Sequence, residues 1–186
     1  MKTSFAKELA FSESIAAGPD VLGALVRLFP GASRIERADV ADDRNGTDYW
    51  VQRAGLPPLS IDFKIRRFDP LEKWNSDDVL LETTSVYRGP GPPFQDQYRL
   101  KFGWTIDPAK RTDFICYSWL RSDGTARYWV VNYPLLNAAT HRNLTKWTRR
   151  YRERATQNSN YKTLWIAVLR REVLRAIEEI SSGVAA

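Results

Sequence analysis

Residues 59–67, LSIDFKIRR, constrain this chain more tightly than any other stretch. Leu59, Ile61, Phe63 and Ile65 alternate with polar positions that include Asp62, Lys64 and Arg66. A period of two predicts a β-strand with an apolar face on a core and a polar face turned away from it.

Neighbouring segments supply the rest of a sheet. Residues 48–53 (DYWVQR) predict a preceding strand, joined through a turn at Gly55-Leu56-Pro57-Pro58. After a turn-rich segment, residues 79–86 (VLLETTSV) predict a third strand. Residues 112–120 and 126–131 predict a hairpin across Ser122-Asp123-Gly124, and 164–169 a short apolar strand. Helices are predicted at 4–17, 21–29, 135–156 and 171–180, with Gly18-Pro19 and Pro30-Gly31 as breaks. Residues 31–47 are polar and carry four acids. Residues 89–93 (GPGPP) and 157–160 read as loops. Strands in the middle and helices at both ends predict an α/β or α+β chain. The expectation is one domain over 1–186 with a central mixed sheet flanked by helices. Its core would span 4–132, with a basic helix, a strand and a closing helix over 135–181.

Composition narrows the chemistry. With 186 residues, 43% hydrophobic and 27% charged, the chain suits one globular domain with a real core. No apolar run reaches the ~20 residues of a membrane helix. The opening MKTSFAKELAFSES is polar where a signal peptide would be apolar, so a cytoplasmic protein with no membrane partner is expected. One cysteine, Cys116, and one histidine, His141, exclude an intrachain disulfide and a zinc site of several Cys and His ligands. Cys116 is expected in the core and His141 near a helix start. There is no P-loop and no GxGxxG. Asp, Glu, Lys, Arg and Tyr remain as catalytic tools, with an oxygen-liganded metal.

Asp62 and Lys64 are two apart on one strand and so share a face. A carboxylate there suits Mg²⁺, and the lysine can orient a metal-bound water and offset negative charge. Asp48 opens the preceding strand after Gly46-Thr47 and supplies a second carboxylate. With 22 acids and 8 lysines, about one acid-x-Lys triplet arises by chance, so the strand context carries the signal. The stretch from Glu8 or Glu13 through Gly46-Thr47-Asp48 to Asp62-Phe63-Lys64 resembles the PD-(D/E)xK, restriction-endonuclease-like nucleases. It covers about a third of the chain, with Thr47 in place of the family's proline. The resemblance implies a restriction-endonuclease-like core in which Asp48 and Asp62 ligate Mg²⁺ (or Mn²⁺). It makes Lys64 the catalytic lysine and Glu13, or Glu8, the helical acid. Glu82, in a mostly apolar strand, is either a further metal ligand or an acid paired with an arginine. Asp113 poses the same question. Four carboxylates converging without Lys64 would instead fit RNase-H-like chemistry.

The net charge is +6, and most of the excess lies in one segment: Arg142, Lys146, Arg149, Arg150, Arg152 and Arg154 against Glu153. Such a run suits nucleic acid, most simply DNA, with RNA the alternative. Trp147 and Tyr151 are interleaved with it and either stack on bases or pack the helix onto the sheet. Trp50, Trp104, Trp119, Trp129 and Trp165 are expected mostly in strands and in the core. The expected function is a Mg²⁺-dependent DNA endonuclease. Its rival is an inactive nuclease-fold accessory protein of a phage or mobile element, binding nucleic acid or a protein. Nucleases that cut both strands often act as two copies, which makes a homodimer a state to test.

Overall fold

The computed structural model describes residues 19–44, 46–88, 98–157 and 161–183. The predicted first helix, with Glu8 and Glu13, and the 89–93 loop lie outside the described residues. The chain divides into two compact units. Among the described residues, one takes 19–76 and 109–134; the other takes 77–108 and 135–183. Strands pair in two sheets, one in each unit, where a single central sheet was expected.

The first unit holds a five-stranded mixed sheet in the order β1-β2-β3-β6-β7. Helix α1 (Pro19–Leu28) leads in, with proline at its start, where its missing N–H costs nothing. Strand β1 (Ala32–Arg37), short helix α2 (Val40–Arg44), β2 (Tyr49–Arg53) and β3 (Leu56–Arg66) follow. β1, β2 and β3 form an antiparallel meander. The β2–β3 turn is tighter than expected: β3 begins at Leu56, and Pro57 and Pro58 sit in its exposed first residues. Proline is tolerated at a strand's start.

After β3 comes a short helix, α3 (Pro70–Trp74). The chain then passes through the second unit and returns as β6 (Phe114–Leu120), parallel to β3. A parallel pair needs such a long crossover. β6 and β7 (Ala126–Asn132) form the predicted hairpin, with Gly124 at φ 83° in its turn. The core gathers Val21 and Leu25 of α1 with Tyr49, Val51, Ile61, Phe63 and Cys116. Ile61 and Phe63 are thus the core face that the alternation predicted. The opposite face, expected to turn away from the core, is itself partly covered. Asp62 and Arg66 are buried there, in register with buried Ile115 and Trp119 of β6.

The second unit holds an antiparallel sheet in the order β5-β4-β9-β8. Its strands are β4 (Asp78–Arg88), β5 (Tyr98–Phe102), β8 (Arg154–Gln157) and β9 (Tyr161–Leu169). A bulge between Glu82 and Thr84 interrupts β4 against β9. Gly103 packs on that bulge so closely that a Cβ would lie 2.2 Å from the Glu82 carbonyl oxygen. Helix α4 (Tyr133–Tyr151) carries the basic segment and α5 (Arg170–Ser181) closes the unit. α4 ends earlier than predicted. Arg152 adopts φ 48°, the left-handed conformation that stops helices, and Arg154 starts β8.

Candidate active site

The β2–β3 hairpin positions the first three site residues. The Asp48 amide donates to the Ile61 carbonyl (2.8 Å), which fixes Asp48 at the head of β2. Its Oδ2 then accepts the Phe63 amide at 2.6 Å, so the carboxyl lies against the backbone beside Asp62. Asp62 is 2% exposed. Lys64 Nζ meets Asp62 Oδ1 at 2.6 Å, and the lysine side chain is 31% exposed, the accessible edge of the cluster.

A fourth residue, Lys110, was not singled out from the sequence. Its Nζ lies 2.8 Å from Asp62 Oδ2, with the side chain 7% exposed. Two features bring it there. Gly46, at φ 92°, leaves a gap: a Cβ at this position would stand 2.3 Å from Lys110 Nζ. The lead-in to β6 is also pinned to β3. Asp113 Oδ2 accepts both the amide and the hydroxyl of Ser60 (2.8 and 2.9 Å), and Thr112 donates to the Ser60 carbonyl. Thr47, just before Asp48, is buried and donates its hydroxyl to the Arg111 carbonyl at 3.2 Å. Asp113 is therefore a brace between strands, not a member of the site. Lys110 could be found only once β6 was known to lie parallel to β3, because no local pattern marks it.

The electrostatics follow from crowding. Burial pushes the Asp48 carboxyl from its ordinary 3.8 to about 7. The neighbouring Asp62 charge and a hydrogen bond to Asp62 add to the rise, against Lys64 and the Phe63 amide. Burial alone would raise Asp62 too, but the ammonium groups of Lys64 and Lys110 hold it below the ordinary carboxylate value. Burial pushes Lys110 below the usual lysine range, against the pull of Asp62. Like charges that converge divide their pKa values in this way.

The remaining predicted residues fall elsewhere. Glu82 belongs to the second unit, where its Oε1 accepts the Ser85 hydroxyl at 2.6 Å. Among the described residues, no group of three or more His, Cys, Asp or Glu is arranged to hold a metal ion. Trp147 is 1% exposed, so its ring packs the helix and is withdrawn from the expected nucleic-acid surface. Tyr151 is half-buried, with its hydroxyl buried and Arg150 over its ring at 5.4 Å. Arg142, Lys146, Arg149 and Arg150 are exposed on α4 at helical spacing, with Arg150 also 3.0 Å from Glu172. Arg154 is exposed on β8, its guanidinium 5.8 Å from the Trp165 ring centre. His141 lies on α4 with Nε2 3.1 Å from the Ile106 carbonyl oxygen. Among the described residues no helix is long and apolar enough to cross a membrane. Comparison with protein-family models, curated proteins and solved structures gave no match.

Proposed function

We propose that the chain is a divalent-ion-dependent phosphodiester hydrolase acting on DNA, with Asp48, Asp62 and Lys64 as its site, as the PD-(D/E)xK resemblance implies. One observation carries the reading: two acids from adjacent strands are held against each other beside Lys64, with the Asp48 carboxyl driven to about 7. A divalent cation relieves such repulsion better than a proton does. The donors fit: two carboxylates are hard oxygen ligands, and Mg²⁺ or Mn²⁺ completes its shell with water and phosphate oxygens.

Asp48 and Asp62 would hold the ion, which when bound would activate the attacking water and offset charge on the scissile phosphate. Lys64, the more accessible ammonium of the cluster, would orient the attacking water and face the negative charge that develops on the phosphoryl oxygens. Lys110 is a positioning residue that keeps Asp62 ionised and fixed. The exposed row Arg142, Lys146, Arg149 and Arg150 supplies sequence-independent attraction for the phosphate backbone.

A second reading has an observation of its own. Both Asp62 oxygens already face ammonium groups, at 2.6 and 2.8 Å, so Lys110 stands in for a cation. A chain that never exchanges that ammonium for a metal would bind nucleic acid or a protein without cutting. Titration with Mn²⁺ separates the two. The hydrolase reading expects a binding event that is lost in Asp62→Asn; the binding-protein reading expects none in either form.

A further inference from the structure

Lys110 places its ammonium where oxygen atoms converge. Its Nζ lies 2.8 Å from Asp62 Oδ2 and 3.4 Å from the Gly46 carbonyl oxygen, and the nearby Asp48 carboxyl acts on it when ionised. Hard oxygens of this kind are what a small divalent cation takes. The two lysines of the cluster are held differently. Lys64 donates a hydrogen bond of 2.6 Å to Asp62 Oδ1. Asp62 Oδ2, facing Lys110, is buried and accepts no well-directed hydrogen bond among the described residues, so that contact is one of charge. The Gly46 contact is longer than an ordinary N–H···O bond. The Tyr133 ring centre is 5.8 Å away, at the outer reach of a cation–π contact. Of the two ammonium groups, the Lys110 head is therefore the one more readily displaced.

Its departure needs no backbone movement. Thr112 and Asp113 pin the lead-in to β6 onto Ser60. Lys110 stands just before them in irregular chain, between exposed Ala109 and Arg111. The side chain, 7% exposed, is folded inward into the gap that Gly46 leaves. A change of rotamer along its flexible four-carbon stem turns the head out to solvent. Ion and ammonium cannot share Asp62 Oδ2 side by side, because like charges at contact distance in a buried site repel strongly.

We propose that Lys110 is an internal latch: its ammonium fills the place of the divalent ion on Asp62 and swings out when the ion binds. The inference rests on the proposed Asp48–Asp62 ion site and adds how entry to it is controlled. In the ion-free chain the latch compensates a buried carboxylate that would otherwise stand with one ammonium only. In exchange, it lowers the apparent ion affinity by the fraction of molecules in which the lysine is turned out.

Two measurements on the full chain test this, and neither reads cleavage. Mn²⁺ binding is titrated by electron paramagnetic resonance for wild type and Lys110→Met. The variant should bind about 10-fold more tightly or better, because the competing ammonium is gone. A lysine that merely supports Asp62 predicts the opposite sign. The second measurement is a short pulse of acetic anhydride on wild type, read by peptide mass spectrometry. Acetylation of Lys110 should be low in EDTA and rise several-fold in Mg²⁺, while exposed Lys146 stays constant as the reference.

The latch is overturned if folded Lys110→Met binds Mn²⁺ no more tightly than wild type. It is equally overturned if Lys110 labelling is unchanged in a wild type that binds the ion, and this result decides alone should the variant fail to fold. Ion binding and Lys64-dependent cleavage with unchanged Lys110 labelling remove the latch and leave the hydrolase standing. Binding by Lys110→Met with none by wild type keeps the latch and removes the hydrolase. A wild type that binds no ion, with a variant that binds none or does not fold, removes both.

Discussion

Replacing Asp48 by Asn should make the metal-free protein more stable at neutral and alkaline pH, while removing an expected ion ligand. Asp48 keeps its proton to about pH 7 in the folded chain, against 3.8 as its ordinary value. The folded state therefore binds more protons than the unfolded state between about pH 4 and pH 7. Stability from this group is present at low pH and is lost as pH rises through that window. About three pH units at about 1.4 kcal/mol each sets an upper bound near 4 kcal/mol. Solvent access to a half-buried carboxyl brings the expectation to about 2–4 kcal/mol. Asn keeps the oxygen that accepts the Phe63 amide and offers Asp62 an N–H, as the protonated acid does. In EDTA, urea unfolding of wild type should show stability falling from pH 4.5 to 7, while Asp48→Asn stays level and exceeds wild type at pH 8. Acid loss of the Asp62 contribution lies lower, because that carboxyl is held below its ordinary value. Adding Mg²⁺ at 100 times its Kd should return about 2.7 kcal/mol to wild type and much less to the variant. A wild type whose stability does not fall across this window, or an Asp48→Asn protein less stable than wild type at pH 8, would refute the reasoning.

Two further outcomes follow from the same geometry. Lys110→Met should cost about 3–5 kcal/mol at pH 8, because it leaves Asp62 buried with one ammonium in place of two; urea midpoints measure this, and a cost under 1 kcal/mol would mean Lys110 does not hold the site. Arg149→Ala with Arg150→Ala should weaken duplex DNA binding for all sequences and flatten the log K against log salt slope by up to about two units. Stability should change by less than about 1 kcal/mol, since the arginine end of the Arg150–Glu172 pair is exposed and screened by solvent; unchanged binding would place the partner surface elsewhere.

The sequence revealed those parts of the fold whose pattern is local. Alternation in residues 59–67 located β3, and Ile61 and Phe63 do face the core. The Ser122-Asp123-Gly124 turn located the β6–β7 hairpin. What the pattern could not carry was partnership. Strand β1 (ASRIER) is polar enough to pass for loop, and β5 and β8 are short edges, so a single sheet was expected where there are two. A period of two separates two faces but does not say that the polar one is covered, as Asp62 and Arg66 are. Trp147 sits among arginines in the sequence yet is buried, because a helix interleaves its faces every few residues. Lys110 reaches Asp62 from 48 residues away through the β3–β6 pairing and the space left by Gly46.

The central claim is hydrolysis by Asp48, Asp62 and Lys64. Its most direct test is incubation of supercoiled plasmid with purified protein and Mg²⁺, comparing wild type with Lys64→Ala. The account predicts nicked or linear product from wild type, none in EDTA, and a loss of at least 100-fold in Lys64→Ala, the scale of a positioned acid–base group. Cleavage that persists in Lys64→Ala would contradict it, as would a wild type that binds the plasmid but leaves it intact with Mg²⁺ and with Mn²⁺.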